Sequence, residues 1–540
     1  MDSTNSCSSR DHTKPVMRKR CKYQVRWFYS KGAFLVLLWT TLVSAAVWSY
    51  GTMLGERILS EGIHLERNTF SRVFIVLPFL VYATIPLVGW LADAKLGNYR
   101  VLKFSCFFLV VASITICINI LCDTKINFSA LQYTRKVIIG LVYAVSVAST
   151  AIYIITALQL GLDQMPDASS TNISSFISWF VFSLTLGCWI AEWLSNTLLH
   201  CVNSSTINDI QKMQLFSLFP VTCMVVICSS MFLLAPKWLI IEPKSPKALK
   251  TIYQVLKFAA KHKAPIYRSA LTYWEEAVPS RLDLGKTKYG GPFTTEQVED
   301  VKTFLQIIVM SFPIFLTVTA CWNILLVLGF TADSYVGVLN EEMLWHLTVS
   351  NTTDNCTSSI IYTFSLSHWW SGIVTTVVYE FALYPLIRNK VPSSIRRIGG
   401  ATLFILLLNM LKLAIQFSPY AQASVLYMGA LSGFLSVLLI NGILEFVCAQ
   451  SPYNMRGLLT GYMMFLLFLS VSLNYFFAML PNEIYLPIYT IPSIYTALSV
   501  IGLVLYCLLA RRYKRRVRDE DYNAHRVVEE VYDRYLSHVQ

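Results

Sequence analysis

The chain has 540 residues, 55% of them hydrophobic and only 14% charged, with a mean hydropathy of +0.52 and a net charge of +13. Soluble domains carry about a quarter charged residues, so this composition excludes a string of water-soluble domains and indicates a polytopic membrane protein. The positive charge does not imply a nucleic-acid partner, because the basic residues lie in tails and turns between apolar runs.

The chain begins with a polar, basic stretch, and a long apolar run follows. That run is too long for a cleavable secretory signal, so it is expected to stay as the first membrane anchor. A bilayer core takes about 20 apolar residues per helix. Twelve such spans are predicted, at 32–54, 70–93, 100–121, 135–160, 173–199, 213–241, 300–330, 361–387, 397–418, 423–449, 456–480 and 485–510. The expected fold is therefore all-α. Two six-helix bundles, 32–242 and 300–510, are joined by a polar linker, 243–299, and flanked by tails at 1–31 and 511–540.

Charge orients the spans. With the N-terminal tail placed in the cytoplasm, 36 of the 44 Lys and Arg fall on the cytoplasmic side, a strong positive-inside bias. Both termini are then cytoplasmic. The glycosylation sequons at Asn127, Asn203, Asn351 and Asn355 all fall on the opposite side, while the one at Asn172 falls inside and should stay bare. The 13 cysteines include no C-x-x-C pair, which argues against a zinc or redox centre. Cys122, Cys201 and Cys356 fall in outer loops, and their pairing is open.

Within the linker, Leu249, Ile252, Tyr253 and Leu256 recur at helical spacing among lysines, predicting an amphipathic helix on the inner membrane face or a plain linker helix. Thr294-Thr-Glu-Gln297 has the form of a capping box opening the seventh span. The tail from Arg511 starts strongly basic, as expected of a segment that holds the last helix end at anionic lipid.

The most informative stretch is Gly89-Trp-Leu-Ala-Asp93-Ala-Lys95-Leu-Gly97-Asn-Tyr-Arg100, a tight inner turn between the second and third spans. Gly89 permits close helix approach, Gly97 a permissive turn, and Asp93 a carboxylate where the apolar run stops. The pattern resembles the loop signature of major facilitator transporters. Four further stretches follow in order: Gly161-Leu-Asp163-Gln164, Lys288 to Lys302, Glu380 with Tyr384-Pro-Leu-Ile387, and Leu444-Glu445-Phe446 followed by Gln450-Ser-Pro452-Tyr-Asn-Met455-Arg456. The set resembles the proton-dependent oligopeptide transporters, the peptide-transporter branch of the major facilitators.

That resemblance implies two bundles around a central cavity that opens alternately to each side, with small peptides or similar zwitterionic solutes as cargo and no cofactor. It makes Glu445, Tyr50, Tyr82 and Trp322 the candidate solute contacts, and Asp93, Arg100 and Arg456 the candidate inner gate. A plasma or endolysosomal membrane is the expected residence. The chain departs from the family where coupling is concerned. The family's first-helix acids and arginine align with Leu42 to Val47, its fourth-helix Lys-Pro pair with Ile154 and Ile155, and its second-helix histidine with Val76. An acid in an apolar cavity can exchange a proton; an alanine cannot. Coupling through Glu445, uncoupled transport, and a non-transporting sensor or scaffold that keeps the fold all remain open. Glu445 has a structural alternative, an interhelical pair with a base such as Lys412. Glu192 is placed near the outer interface, Glu380 near the inner end of the eighth span with Arg388 or another inner base, and His368 in that span's outer half, packed in an aromatic belt with Trp369 and Trp370 or serving a proton relay. The sequence has no nucleophile constellation, metal cluster or nucleotide loop, so no enzyme activity is expected.

Overall fold

The computed structural model describes residues 31–60, 81–125, 129–165, 170–200, isolated positions between 222 and 239, 248–262, 280–320, 354–387, 391–415, 424–452, 455–483 and 490–513. The helices are α1 (Lys31–Ser60), α2 (Ile85–Leu91), α3 (Asn98–Lys125), α4 (Ser129–Asp163), α5 (Ser170–His200), α6 (Ala248–Lys261), α7 (Thr295–Thr319), α8 (Asp354–Val378), α9 (Ser394–Ile415), α10 (Ser424–Gln450), α11 (Arg456–Glu483) and α12 (Thr490–Arg512). Among the described residues, nine helices are long and apolar enough to cross a membrane: α1, α3, α4, α5, α7, α8, α9, α10 and α12. In a bilayer each must satisfy its own backbone hydrogen bonds, which is why helices dominate even where β-branched residues are frequent. Most of the span expected at 213–241, and the first part of that at 70–93, lie outside the described residues.

The helix pairings repeat with an offset of six. In the first half α1 packs on α4 and α5, α3 on α4, and α2 on α4. In the second, α7 packs on α10 and α11, and α9 on α10, while α8 lies along α10. The contacts between halves follow the same rule: α2 meets α11 as α8 meets α5, and α4 meets α11 as α10 meets α5. This is the arrangement of two related bundles facing one another.

The outermost helices show what surrounds the molecule. Phe104, Phe107, Phe108, Val111, Ile114 and Ile118 form an exposed stripe on α3, and Leu403, Phe404, Leu407, Met410 and Leu411 form its counterpart on α9. A water-soluble protein does not leave apolar stripes of this length uncovered; lipid covers them.

The linker is anchored to the second half. Thr294 caps α7, its hydroxyl accepting from the Gln297 amide while the Gln297 side chain accepts from the Thr294 amide, as the sequence predicts. Just before it, Lys286 bridges Asp283 at 2.7 Å and Glu299 at 2.5 Å, and Lys302 bridges the same two acids at 2.5 and 3.2 Å. Burial by itself would raise the Asp283 carboxyl. Hydrogen bonds from Lys286, Lys302 and Ser280 outweigh it and hold that carboxyl well below the usual carboxylate range. The same two acids raise the Lys286 ammonium above its ordinary value, against the opposing effect of burial. The linker helix α6 rests on this platform: Ile252 and Val255 join Val298 and Val301 of α7 and Met455, next to the start of α11, in one buried apolar cluster.

Candidate gate between the two halves

The turn from Gly89 to Arg100 closes one face of the interface. α2 does not end as a regular helix. Residues Ala92–Leu96 widen into a π turn, and Gly97 then adopts φ 79°, a left-handed conformation that suits glycine. The π turn carries Asp93 toward α11, where its Oδ2 accepts from the Leu458 amide at 3.0 Å. Leu458 lies in the first turn of α11, whose amides lack intrahelical partners and carry the positive end of the helix dipole. A carboxylate from the first half thus completes a helix of the second. The approach is close because it is glycine to glycine. A Cβ on Gly89 would lie 2.3 Å from the Gly457 carbonyl oxygen, and one on Gly457 would lie 2.6 Å from the Asp93 carboxylate. Beside this contact, Gln159 near the end of α4 donates to Thr460 of α11 at 2.9 Å.

The related position in the second half repeats the device. α8 widens into a π turn at Tyr379–Leu383, and Glu380 is its second residue, as Asp93 is of the first. Glu380 Oε2 accepts from the Ser175 hydroxyl of α5 at 3.0 Å. Next to it, the Ser174 hydroxyl donates to Glu445 Oε2 of α10 at 2.6 Å. Two adjacent serines of the first half therefore hold two acids of the second. Within the second half Glu445 also forms a buried ion pair with Arg397 of α9. At the other end of the halves, Trp48 of α1 packs edge-on to Trp369 of α8 with centroids 5.1 Å apart, and Trp189 lies 5.7 Å from Trp370. The Trp48 indole donates to Glu192 at 2.8 Å.

The candidate residues are distributed as follows. Asp93 makes the contact with α11. Arg100 is exposed, and Arg456 is half-buried at the start of α11. Tyr82 is buried and stacks on Phe468 of α11 at 3.5 Å, another contact between halves. Glu445 is held by Arg397 and Ser174 close to the end of α10, at the same face as Asp93. The Tyr50 side chain, Trp322, and the sequons at Asn127, Asn203 and Asn351 lie outside the described residues, as do the side chains of Asn355 and Lys412. Arg388 is also outside them, and Glu380 accepts from Ser175.

One expectation is corrected. His368 is not in an interfacial belt. It is fully buried against α10, with Nδ1 at 2.8 Å from the Ser432 hydroxyl, because Gly433 lets the two backbones touch there. Trp369 is buried with it and only Trp370 faces outward. Sequence reasoning did not single out Ser174, Ser175, Gln159 or Arg397. Serine and glutamine inside apolar spans gave the available signal for three of these, since polar groups at such depth seek partners across helices.

No protein-family model matches the chain. Among solved structures it is similar to an auto-inhibited POT family peptide transporter, at 15% identity over 90% of this chain and 98% of that one, with a TM-score of 0.58. It is similar to the POT family transporter PepTSo at 17% identity over 90% and 99%, again with a TM-score of 0.58. The human organic anion transporter MFSD10 (TETRAN) matches at 11% identity over 88% and 98%, with a TM-score of 0.52. The chain therefore has the fold of these transporters, the major facilitator fold of two related helical bundles facing one another.

Proposed function

We propose that the chain is a secondary transporter that moves small peptides or similar zwitterionic solutes by rocking its two halves. The observation that carries this reading is the paired closure at one face, Asp93 on α11 and Glu380 on α5. Both are hydrogen bonds between halves that can break and re-form without unfolding either bundle. The fold shared with POT family peptide transporters supports the cargo class. The basic turns on that face support a cytoplasmic assignment for it and for both termini, and Asn127, Asn203, Asn351 and Asn355 are then the glycan sites. In this reading Tyr82 and Glu445 are released from their closed contacts as the face opens, and with Tyr50 and Trp322 they meet the solute. Lys95, Arg100 and Arg456 keep the turns on the basic side.

A second reading, a non-transporting sensor or scaffold, is favoured by one specific observation. Where the family carries charge on helix 1, Ala46 is buried, and a Cβ on Gly187 of α5 would lie 2.9 Å from the Ala45 amide. The two helices pack closely there, and neither Ala45 nor Ala46 can carry a charge. Ile154 and Ile155 are buried apolar residues.

Uptake of labelled dipeptide into proteoliposomes, with and without an inward proton gradient, separates these readings. Flux driven by the gradient supports proton-coupled transport. Flux indifferent to it supports a facilitator. Absence of flux across a broad panel of zwitterionic solutes supports the scaffold.

A further inference from the structure

We propose that α6 is a docking surface for anionic phospholipid headgroups on the side of the bilayer that carries the basic turns. The helix has three sectors. Ile252, Val255 and Ala259 are buried toward the protein. Leu249, Tyr253 and Leu256, at i, i+4 and i+7, form a second apolar stripe that is 36%, 64% and 37% exposed. Lys250, Lys257 and Lys261 form a third, exposed row beside it, with the Lys257 ammonium 5.7 Å from the centre of the Tyr253 ring.

A linker helix that only bridges two bundles through water needs the first sector and no second apolar one. Apolar area left in water forfeits the stabilisation that burial would give. An apolar stripe edged by lysines is what a helix presents when it lies along a headgroup layer, the stripe dipping toward the acyl chains and the ammonium groups reaching phosphates. Position fits as well. α6 packs at the N-terminal end of α7, where a membrane span begins. Charge complementarity selects the lipid: from Lys244 to Lys263 the chain carries six lysines and no acid. Each such residue near an anionic surface adds to the attraction. The buried sector gives the docking a consequence. Met455 in the α6 cluster stands three residues before Leu458, the residue whose amide Asp93 holds. Lipid seated on α6 therefore steadies the start of α11 and favours the closed face.

The test uses the full-length protein in nanodiscs of phosphatidylcholine alone and of phosphatidylcholine with phosphatidylserine. A water-soluble acetylating reagent probes the lysines, and mass spectrometry reads the rate at each one. Acetylation of Lys250, Lys257 and Lys261 should slow several-fold with phosphatidylserine present, and high salt should restore the rate. In a Tyr253→Ser/Leu256→Ser variant the slowing should disappear, and the exchange protection of α7 confirms that this variant is folded. Fast acetylation in both lipids places the face in water, open to a protein partner, and overturns the proposal. Equally slow acetylation in both means apolar seating without charge recognition and overturns it too. No solute flux is measured, so the outcome is independent of the transport assignment.

Discussion

Asp93 and Leu458 belong to different halves of the chain, 365 residues apart, yet the carboxylate of one completes the first helical turn of the other at 3.0 Å. The hydrogen bond is charge-assisted, partly buried, and made to an amide with no intrahelical partner.

Asp93→Ala removes it. Loss of such a bond costs about 1.5–3 kcal/mol, roughly tenfold or more in the ratio of closed to open forms. Cys448 is buried next to the Gln159–Thr460 contact and reports the change. Its alkylation rate, read by mass spectrometry, should rise about tenfold in Asp93→Ala and less in Asp93→Asn, which keeps an acceptor. An unchanged rate would mean that this contact does not gate the face.

Gly89→Ala should act in the same direction through shape. The added methyl meets the Gly457 carbonyl, which is backbone and cannot turn aside. Overpacking of this kind costs about 1–3 kcal/mol, and here separation of the halves relieves it. Spin labels at the exposed positions Lys103 in the first half and Lys257 on the linker helix packed against the second should report a longer distance than in the unmodified protein.

Glu445→Gln distinguishes a solute contact from a structural pair. Without the carboxylate, Arg397 is a buried cation facing a neutral amide, and breaking such a pair costs about 3–5 kcal/mol. The structural role predicts a lower melting temperature for Glu445→Gln and recovery in Glu445→Gln/Arg397→Met. A solute contact predicts unchanged stability with a raised Km for uptake. A variant as stable as the parent would sink the structural role.

The Asp283 cluster carries a pH signature. A carboxyl whose folded pKa is depressed contributes stability that is present above its unfolded value, about 4, and lost only as pH falls through the lower folded value. An ammonium whose pKa is raised contributes stability present below its unfolded value, about 10.4, and lost as pH rises through the higher one. Exchange protection of residues 280–293 should therefore be flat from about pH 5 to about pH 9. In Asp283→Asn it should be lower throughout that range. A fall in protection of the unmodified protein near pH 6 would show that the four-residue network does not hold this segment.

The architecture was legible where it depends on local pattern. Apolar length located the nine described spans, Thr294 and Gln297 announced the start of α7, and Gly89, Asp93 and Gly97 announced the turn. The linker helix was legible as an element, but its facing was not. Spacing grouped Ile252 with Leu249, Tyr253 and Leu256, whereas the fold sends Ile252 inward and leaves the other three outside. The candidate site was less legible because its contacts join residues far apart in sequence. Glu445 stood out as an acid within an apolar span, but its partners Arg397 and Ser174 depend on how α5, α9 and α10 assemble. The π turns had no sequence signal, and without them the parallel between Asp93 and Glu380 was invisible.

Four described hydrogen bonds between halves at this face, one accepted by Asp93 and three donated by Gln159, Ser174 and Ser175, also bear on leakage. Three of them end on carboxylates, at about 1.5–3 kcal/mol each, so together they bias the protein strongly toward the closed form. In the transport reading, an empty carrier with that bias seldom exposes its interior to the basic side. A solute promotes crossing only to the extent that it binds the open form more tightly than the closed one. Two solutes of equal affinity for the closed form can then cross at very different speeds, so a binding assay on the resting protein would rank them wrongly.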